Sequence, residues 1–282
     1  MATVENERGS ESGSGSSSGT GGSVTVPRSV RRVTSVLALL VLWALATNFG
    51  LLSELPSPLA VGTTFLDQFA EVSFWSAAAV STARIYVSFV LALVLAVPIG
   101  LLIGWNRTFA DAVYPALEML RPVPPVAWIP VVALVFPIVS VGAGALDYPV
   151  DTGILFITFL GAFFPILLNA ISGVKQIDEE FPRAARSLGT SPFQTFRYVV
   201  YPGALPSIHA GMVSGMGLAW VNLVAAEMIA GSGLGYLTWS SYIAGDYASI
   251  VVGMLSIGLL GYCSSLVIRR IGTRLLPWNS TE

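Results

Sequence analysis

Charged side chains are few: Asp, Glu, Lys and Arg make up 11% of the 282 residues, where a soluble domain carries roughly 25%. Hydrophobic residues supply 54%, so water is not the main solvent of this chain. The one lysine, Lys175, is followed by Gln176. No Gly-Lys-Ser or Gly-Lys-Thr phosphate loop is therefore present, and the chain is not itself an ATPase. The one histidine, His209, has no cysteine or acid at ligand spacing, which excludes a metal site or a nucleophilic triad built around it. Near the end of a helix, its expected partner is backbone or water. A single cysteine, Cys263, rules out any disulfide within the chain. No catalytic residue, metal or cofactor is expected, and the chain is read as a non-enzyme.

Six stretches are long enough to cross about 30 Å of hydrocarbon as helices of roughly 20 residues: Val33 to Leu52, Ile85 to Trp105, Val126 to Leu146, Thr152 to Val174, Ser207 to Ala226 and Ala248 to Ile268. None contains a Lys, Arg, Asp or Glu. Ion-coupled carriers keep ionisable groups inside their spans, so this absence speaks against a carrier driven by an ion gradient. Cations decide orientation. Arg28, Arg31 and Arg32 precede the first span, and Arg107 and Arg121 lie between the second and third. Lys175, Arg183, Arg186 and Arg197 lie between the fourth and fifth, and Arg269, Arg270 and Arg274 follow the sixth. Six crossings put all of these on one side, the cytoplasm, together with both termini. The opposite connections carry Glu54, Asp67, Glu71, Asp147, Asp151, Glu227 and Asp246, with Arg84 their only cation. The expected class is an all-α, multi-pass protein of the plasma membrane, in contact with lipid.

Residues 1–30 read as a separate cytoplasmic tail, and 31–282 as the membrane domain. The tail is rich in Gly, Ser and Glu and poor in large apolar side chains, so it cannot offset the entropy of ordering and is expected to be disordered. It also lacks the basic-then-apolar pattern of a cleaved signal peptide.

The most informative segment is polar: Lys175 to Pro206 reads as two short helices joined at a glycine. Pro182 suits an opening turn, Ala184, Ala185 and Leu188 share one face, and Gly189 can take the left-handed conformation that closes a helix. Ser191-Pro192 with Gln194 is a capping box, after which Phe193, Phe196 and Val200 recur at helical spacing until Pro202. Small alanines permit close approach, and the phenylalanines offer anchors for a partner's pocket. The alternative is a helix pair lying on lipid headgroups. Lys175, Arg183, Arg186 and Arg197 are largely offset by Asp178, Glu179 and Glu180, whereas surface-bound helices tend to be strongly basic.

These residues carry a resemblance. Ala184-Ala185, Gly189 and the run Val199 to Pro206 resemble the cytoplasmic EAA loop of permease subunits in binding-protein-dependent ABC importers. Three further stretches are similar to the nitrate, sulfonate and taurine group: Leu120 to Pro130, Phe164 to Asn169, and Ala225 to Tyr236. Arg183 stands where the family's usual glutamate opens the triplet, a change that bears on one salt contact rather than on docking. The resemblance implies a subunit importing nitrate, a sulfonate, taurine or a similar small solute by alternating access. Its implied partners are cytoplasmic ATP-binding subunits, an external solute-binding protein and a second copy of the permease; no nucleic acid is expected. Arg183, Ala184, Ala185, Gly189, Phe193 and Phe196 would dock the ATPase. The competing functions are an ion-gradient carrier and a membrane anchor that moves nothing.

Four smaller features have two readings each. Glu227, before the flexible run Gly231 to Gly235, is either part of an outer gate or delivery-protein contact, or an interfacial acid that helps end a helix. Pro122, Pro124, Pro125 and Pro130 must break or kink the third span, as hinge or scaffold. Gly100 with Gly104, and Gly211 with Gly215, are spaced for close helix packing or for motion. Asn169, Ser172, Ser214 and Asn222 either line a solute path or bond between helices.

Overall fold

The structure, a computed structural model, describes residues 28–49, 55–136, 138–141 and 148–275. Most of the expected tail, together with Glu54 and Asp147, lies outside the described residues. The described chain is helical apart from one hairpin: α1 (Arg28–Asn48), α2 (Pro58–Ala70), α3 (Val72–Trp105), α4 (Arg107–Leu120), a 3-10 turn (Pro125–Trp128), α5 (Ile129–Val135), strands β1 (Ile138–Val141) and β2 (Tyr148–Asp151), then α6 (Thr152–Lys175), α7 (Glu180–Ser187), α8 (Pro192–Thr195), α9 (Tyr201–Glu227), α10 (Leu234–Ile243) and α11 (Tyr247–Leu275).

Four helical runs are long and apolar enough to cross a membrane: Val72–Trp105, Thr152–Lys175, Pro192–Glu227 and Tyr247–Arg274. A fifth crossing would be the bent pair Arg107–Leu120 and Pro125–Val135, which turns through 83°. In α1 the apolar helix Leu37–Asn48 is shorter than a crossing. The bend sits where the prolines crowd. Pro122, Pro124 and Pro125 deny the backbone three amide donors in four residues, so a straight helix cannot propagate through them. The expected span Val126 to Leu146 is accordingly corrected: its helix ends at Val135, and β1 pairs antiparallel with β2, Ile138 opposite Asp151 and Val141 opposite Tyr148.

The centre of the bundle is α6, which packs along α3 on one side and α9 on the other. Ile85, Ala92, Ala96, Ile166, Leu167, Met216, Ala219 and Leu223 form its core. Lipid is as apolar as these side chains, so close fit rather than water exclusion holds such helices together. The glycines supply that fit. A Cβ on Gly100 would lie 2.6 Å from the Ala170 Cβ, one on Gly104 2.6 Å from the Val174 Cβ, and one on Gly211 2.6 Å from the Asn169 Cβ. Packing, the first of the two readings, is what the geometry uses. Gly100→Val would also press on the Leu167 carbonyl oxygen, 2.8 Å from the added carbon. Overpacking of this kind costs about 1–3 kcal/mol; the expected result is a lower melting temperature in detergent, whereas Gly258→Ala, which meets open space inside α11, melts no lower than wild type.

The polar residues of the spans bond mainly within their own helices. The side-chain amides of Asn169 and Asn222 donate to the carbonyls of Pro165 and Leu218, each at 2.8 Å, and the Ser214 hydroxyl donates to Ala210. The expected bonds between helices are not made by these residues, because a carbonyl four positions back is always within reach of a short polar side chain. A crossing bond comes instead from the Ser88 hydroxyl of α3, which donates to the Leu155 carbonyl of α6 at 3.0 Å. His209 meets backbone as expected, its Nε2 3.0 Å from the Ile268 carbonyl oxygen.

Candidate functional site

The bundle presents a distinct polar assembly at each end. At the Trp105 end, α7 runs from Glu180 in its first turn to Arg186 in its last, a charge order that suits the helix dipole. It closes as its sequence demands. Gly189 has φ +85°; its N–H donates to the Arg186 carbonyl at 2.9 Å, and the Thr190 N–H to the Ala185 carbonyl at 3.3 Å. That is the paired closure in which a left-handed residue satisfies the last free carbonyls. The capping box also forms. The Ser191 Oγ accepts from the Gln194 N–H at 3.3 Å, and the Ser191 N–H donates to the Gln194 Oε1 at 2.8 Å.

The second helix departs from expectation at Pro202. Instead of ending there, α8 passes through a wide five-residue turn, Phe196–Val200, into α9, so that Pro192–Glu227 is one helical run of 36 residues. The wide turn is the physical reason: the Tyr201 N–H reaches back five residues to the Phe196 carbonyl, and the extra residue opens the backbone just where a proline ring would crowd it. Loop and span are thereby one rod.

The predicted docking residues divide by direction. Phe193 is 72% exposed, and Arg183, Ala184 and Gly189 are exposed too; Leu188, outside the predicted set, is 86% exposed beside them. Arg183 pairs with Glu179 in solvent, a contact of small energetic weight. Ala185 is half-buried. Phe196 turns inward, its ring 6.0 Å from that of Trp105, and packs with Val200, Ala204 and Leu101. Beneath α7 is a cavity of about 560 Å³ lined by Gly104, Trp105, Lys175, Glu179, Arg183 and Arg186, among others. Pro182 is the one buried residue of α7, so this helix rests lightly on the bundle while α8 is welded to it.

At the opposite end, two expectations are corrected. Helix α3 begins at Val72 rather than Ile85, so Arg84 lies inside it, 8% exposed. Glu227, at the end of α9, is fully buried. Far from being empty of charge, the helices hold an ion pair, Arg84 Nη1 donating to Glu227 Oε1 at 2.9 Å. The helix starts early because Ser73 to Ala83 holds no helix breaker and puts Phe74, Ala78 and Ser81 on the same buried face as Ile85.

This pair fastens a loop. The Ser81 hydroxyl lies 2.8 and 2.7 Å from the two carboxylate oxygens of Glu227, and its oxygen accepts the Leu234 N–H at 2.9 Å. The Gly235 N–H donates to Glu227 Oε2 at 3.0 Å. Arg84 donates through Nη1 to the Ser232 carbonyl at 3.1 Å and through Nη2 to the Ser232 Oγ at 2.8 Å. Gly233, with φ +99°, has no room for a side chain: a Cβ would lie 2.2 Å from Glu227 Oε1. The carboxylate thus caps the start of α10. Glu227 is not the interfacial acid of the second reading, since it is fully buried, and its partners Arg84, Ser81 and Gly235 were not foreseen.

Residues 96–280 match the family described as binding-protein-dependent transport system inner membrane component. The chain belongs to that family. Along 88% of its length the permease is 32% identical to the taurine transport system permease protein TauC of Escherichia coli, covering 89% of that protein. It is 28% identical to the nitrate import permease protein NrtB of Synechocystis, over 89% of this chain and 90% of that one. To the bicarbonate transport system permease protein CmpB of Synechococcus elongatus it is 29% identical, over 87% of each. It is a multi-pass membrane permease subunit of an ABC importer, a non-enzymatic component that works with a separate ATPase and a solute-binding protein. The ion-gradient carrier is set aside by the same finding.

Proposed function

We propose that the permease admits a small solute bearing an anionic oxygen group, driven by ATP hydrolysis in subunits that grip α7 and α8. The relatives are named for taurine, nitrate and bicarbonate, solutes that share a compact group of oxygens carrying one negative charge. In this reading the α7 end and both termini face the cytoplasm, residues 1–30 are a tail, and residues 31–282 form the transporting domain with six crossings. Two copies assemble in the lipid bilayer, and the solute-binding protein meets the α10 end.

The observation that carries the reading is the unbroken rod from α8 to the end of α9. A force applied at Phe193 need not cross a flexible joint: it runs through the Phe196 turn into a helix that ends at Glu227, so the ATPase can rock the span as a lever. Arg183, Ala184, Ala185, Gly189 and Phe193 form the grip, and Phe196 anchors it to the bundle through Trp105. Leu188→Ser with Phe193→Ala should weaken ATPase binding by roughly thirtyfold for each anchor lost and about a thousandfold together, since buried anchors of this kind contribute about 2 kcal/mol or more each. Co-purification and titration of the ATPase read this out. Melting of the permease alone should not change, because both side chains are solvent-exposed in it.

The function itself is tested by reconstituting the permease with its ATPase and binding protein and following labelled taurine, nitrate and bicarbonate. ATP-dependent uptake of one of them is expected. Uptake that proceeds without nucleotide, or partner binding with no flux of any solute, would overturn the proposal.

A further inference from the structure

Beside the Arg84–Glu227 pair lies a cavity of about 300 Å³, lined by Ser73, Ser76, Gly231, Ser232, Tyr236 and Ser240, among others. Its polar groups are not equivalent. Ser73 and Ser76 spend their protons on Glu71 Oε2 and the Ser73 carbonyl, and Ser240 donates to the Leu237 carbonyl. Ser232 differs: its Oγ accepts from the guanidinium, so its own proton is left to donate and is polarised by the cation behind it. Among the described residues no acceptor meets that proton, the Tyr236 hydroxyl, or the backbone N–H groups of Gly231, Ser232 and Gly233.

Neither nearby acid presents a bare charge to the cavity. The Glu227 carboxylate lies behind Gly233, which lines the cavity; its oxygens are occupied by Arg84, Ser81 and the Gly235 N–H, and it has no exposed surface. Glu71 stands at the rim in solvent, where its charge is screened. We infer that this cavity is a receiving site for a small oxyanion, held by the Ser232 and Tyr236 hydroxyls and the glycine-loop amides, with Arg84 and Glu227 as positioning residues behind it. The size fits: at about 30 Å³ per water, the space holds roughly ten waters, enough for a nitrate or a sulfonate head with part of its hydration shell. Donors that carry no net charge bind weakly enough to release what they receive, as a transit site must. The inference rests on the oxyanion reading above.

Its test separates the two. Wild-type uptake of taurine, nitrate and bicarbonate is measured first; failure there removes the oxyanion reading. In a Cys263→Ser background, Ser232→Cys and, as a second probe, Tyr236→Cys are labelled in the reconstituted importer by thiol reagents carrying either a sulfonate or an ammonium group. Ile243→Cys, on the same helix at a position 70% exposed, is the comparator. The preference for the anionic reagent should be roughly tenfold greater at the cavity positions than at 243. The transported solute should slow labelling at 232 and 236 but not at 243. The same reagent preference at all three positions, or no protection by a solute the wild type carries, overturns the inference while leaving the transport function standing.

Discussion

Glu227→Ala is expected to cost about 3–5 kcal/mol of stability and to abolish uptake. The removal strands the Arg84 guanidinium, 8% exposed, with a cation's full desolvation and no counter-charge. It also releases the Ser81 hydroxyl and the Gly235 N–H, so α10 loses its cap at the same stroke. Arg84→Ala should be as damaging by the mirror argument. Two double variants separate charge from geometry. Arg84→Met with Glu227→Leu removes both charges and should recover only the part of the melting temperature lost to the stranded charge, because leucine accepts nothing from the Ser81 hydroxyl or the Gly235 N–H. The exchange Arg84→Glu with Glu227→Arg should recover nothing: Ser81 and Gly235 aim donors at position 227, and a guanidinium has no acceptor to offer them. Recovery by the exchange would show that only the charge balance matters and that the fastening of α10 does not.

Gly189→Val should uncouple ATP hydrolysis from uptake without unfolding the chain. The position has φ +85° with open space around it, so nothing collides; the difficulty is the backbone conformation, which a β-branched residue avoids. Strain at such a site costs about 1–3 kcal/mol, enough to shift the population of the docked loop by roughly tenfold or more. The turn would relax by swinging α7 away from the line set by the Ser191 cap. Hydrolysis by the assembled complex continues in this account, and the solute moved per ATP falls. Gly189→Asn is the control, since asparagine tolerates the left-handed region, and it should stay close to wild type. Normal coupling in the valine variant would count against α7 and α8 as the route of force.

The α7–α8 loop was legible because its signals are local. A proline, a closing glycine and a Ser-x-x-Gln cap act within four residues of themselves, and all three formed where expected. The end of the second helix was misjudged because Pro202 reads as a stop from sequence, whereas a wide turn immediately before it lets the helix continue. The start of α3 was misplaced for a different reason. Arg84 reads as the border of a span on charge alone, and its burial is tolerable only because Glu227, 143 positions away in sequence, supplies the opposite charge.

Sparse charge, long apolar runs and one polar loop by themselves determined that this is a largely helical membrane protein, and the lack of a phosphate loop or nucleophilic triad that it is not the ATPase. Those features act through solvent preference and nearest-neighbour backbone geometry, both written residue by residue. Only the tertiary structure decided that Arg84, Ser81 and Glu227 meet, that Phe196 turns inward while Phe193 stays outside, and that a hydroxyl-lined cavity opens beside the pair. Each of these depends on which helices lie side by side, and a contact between distant segments leaves no mark on either one alone.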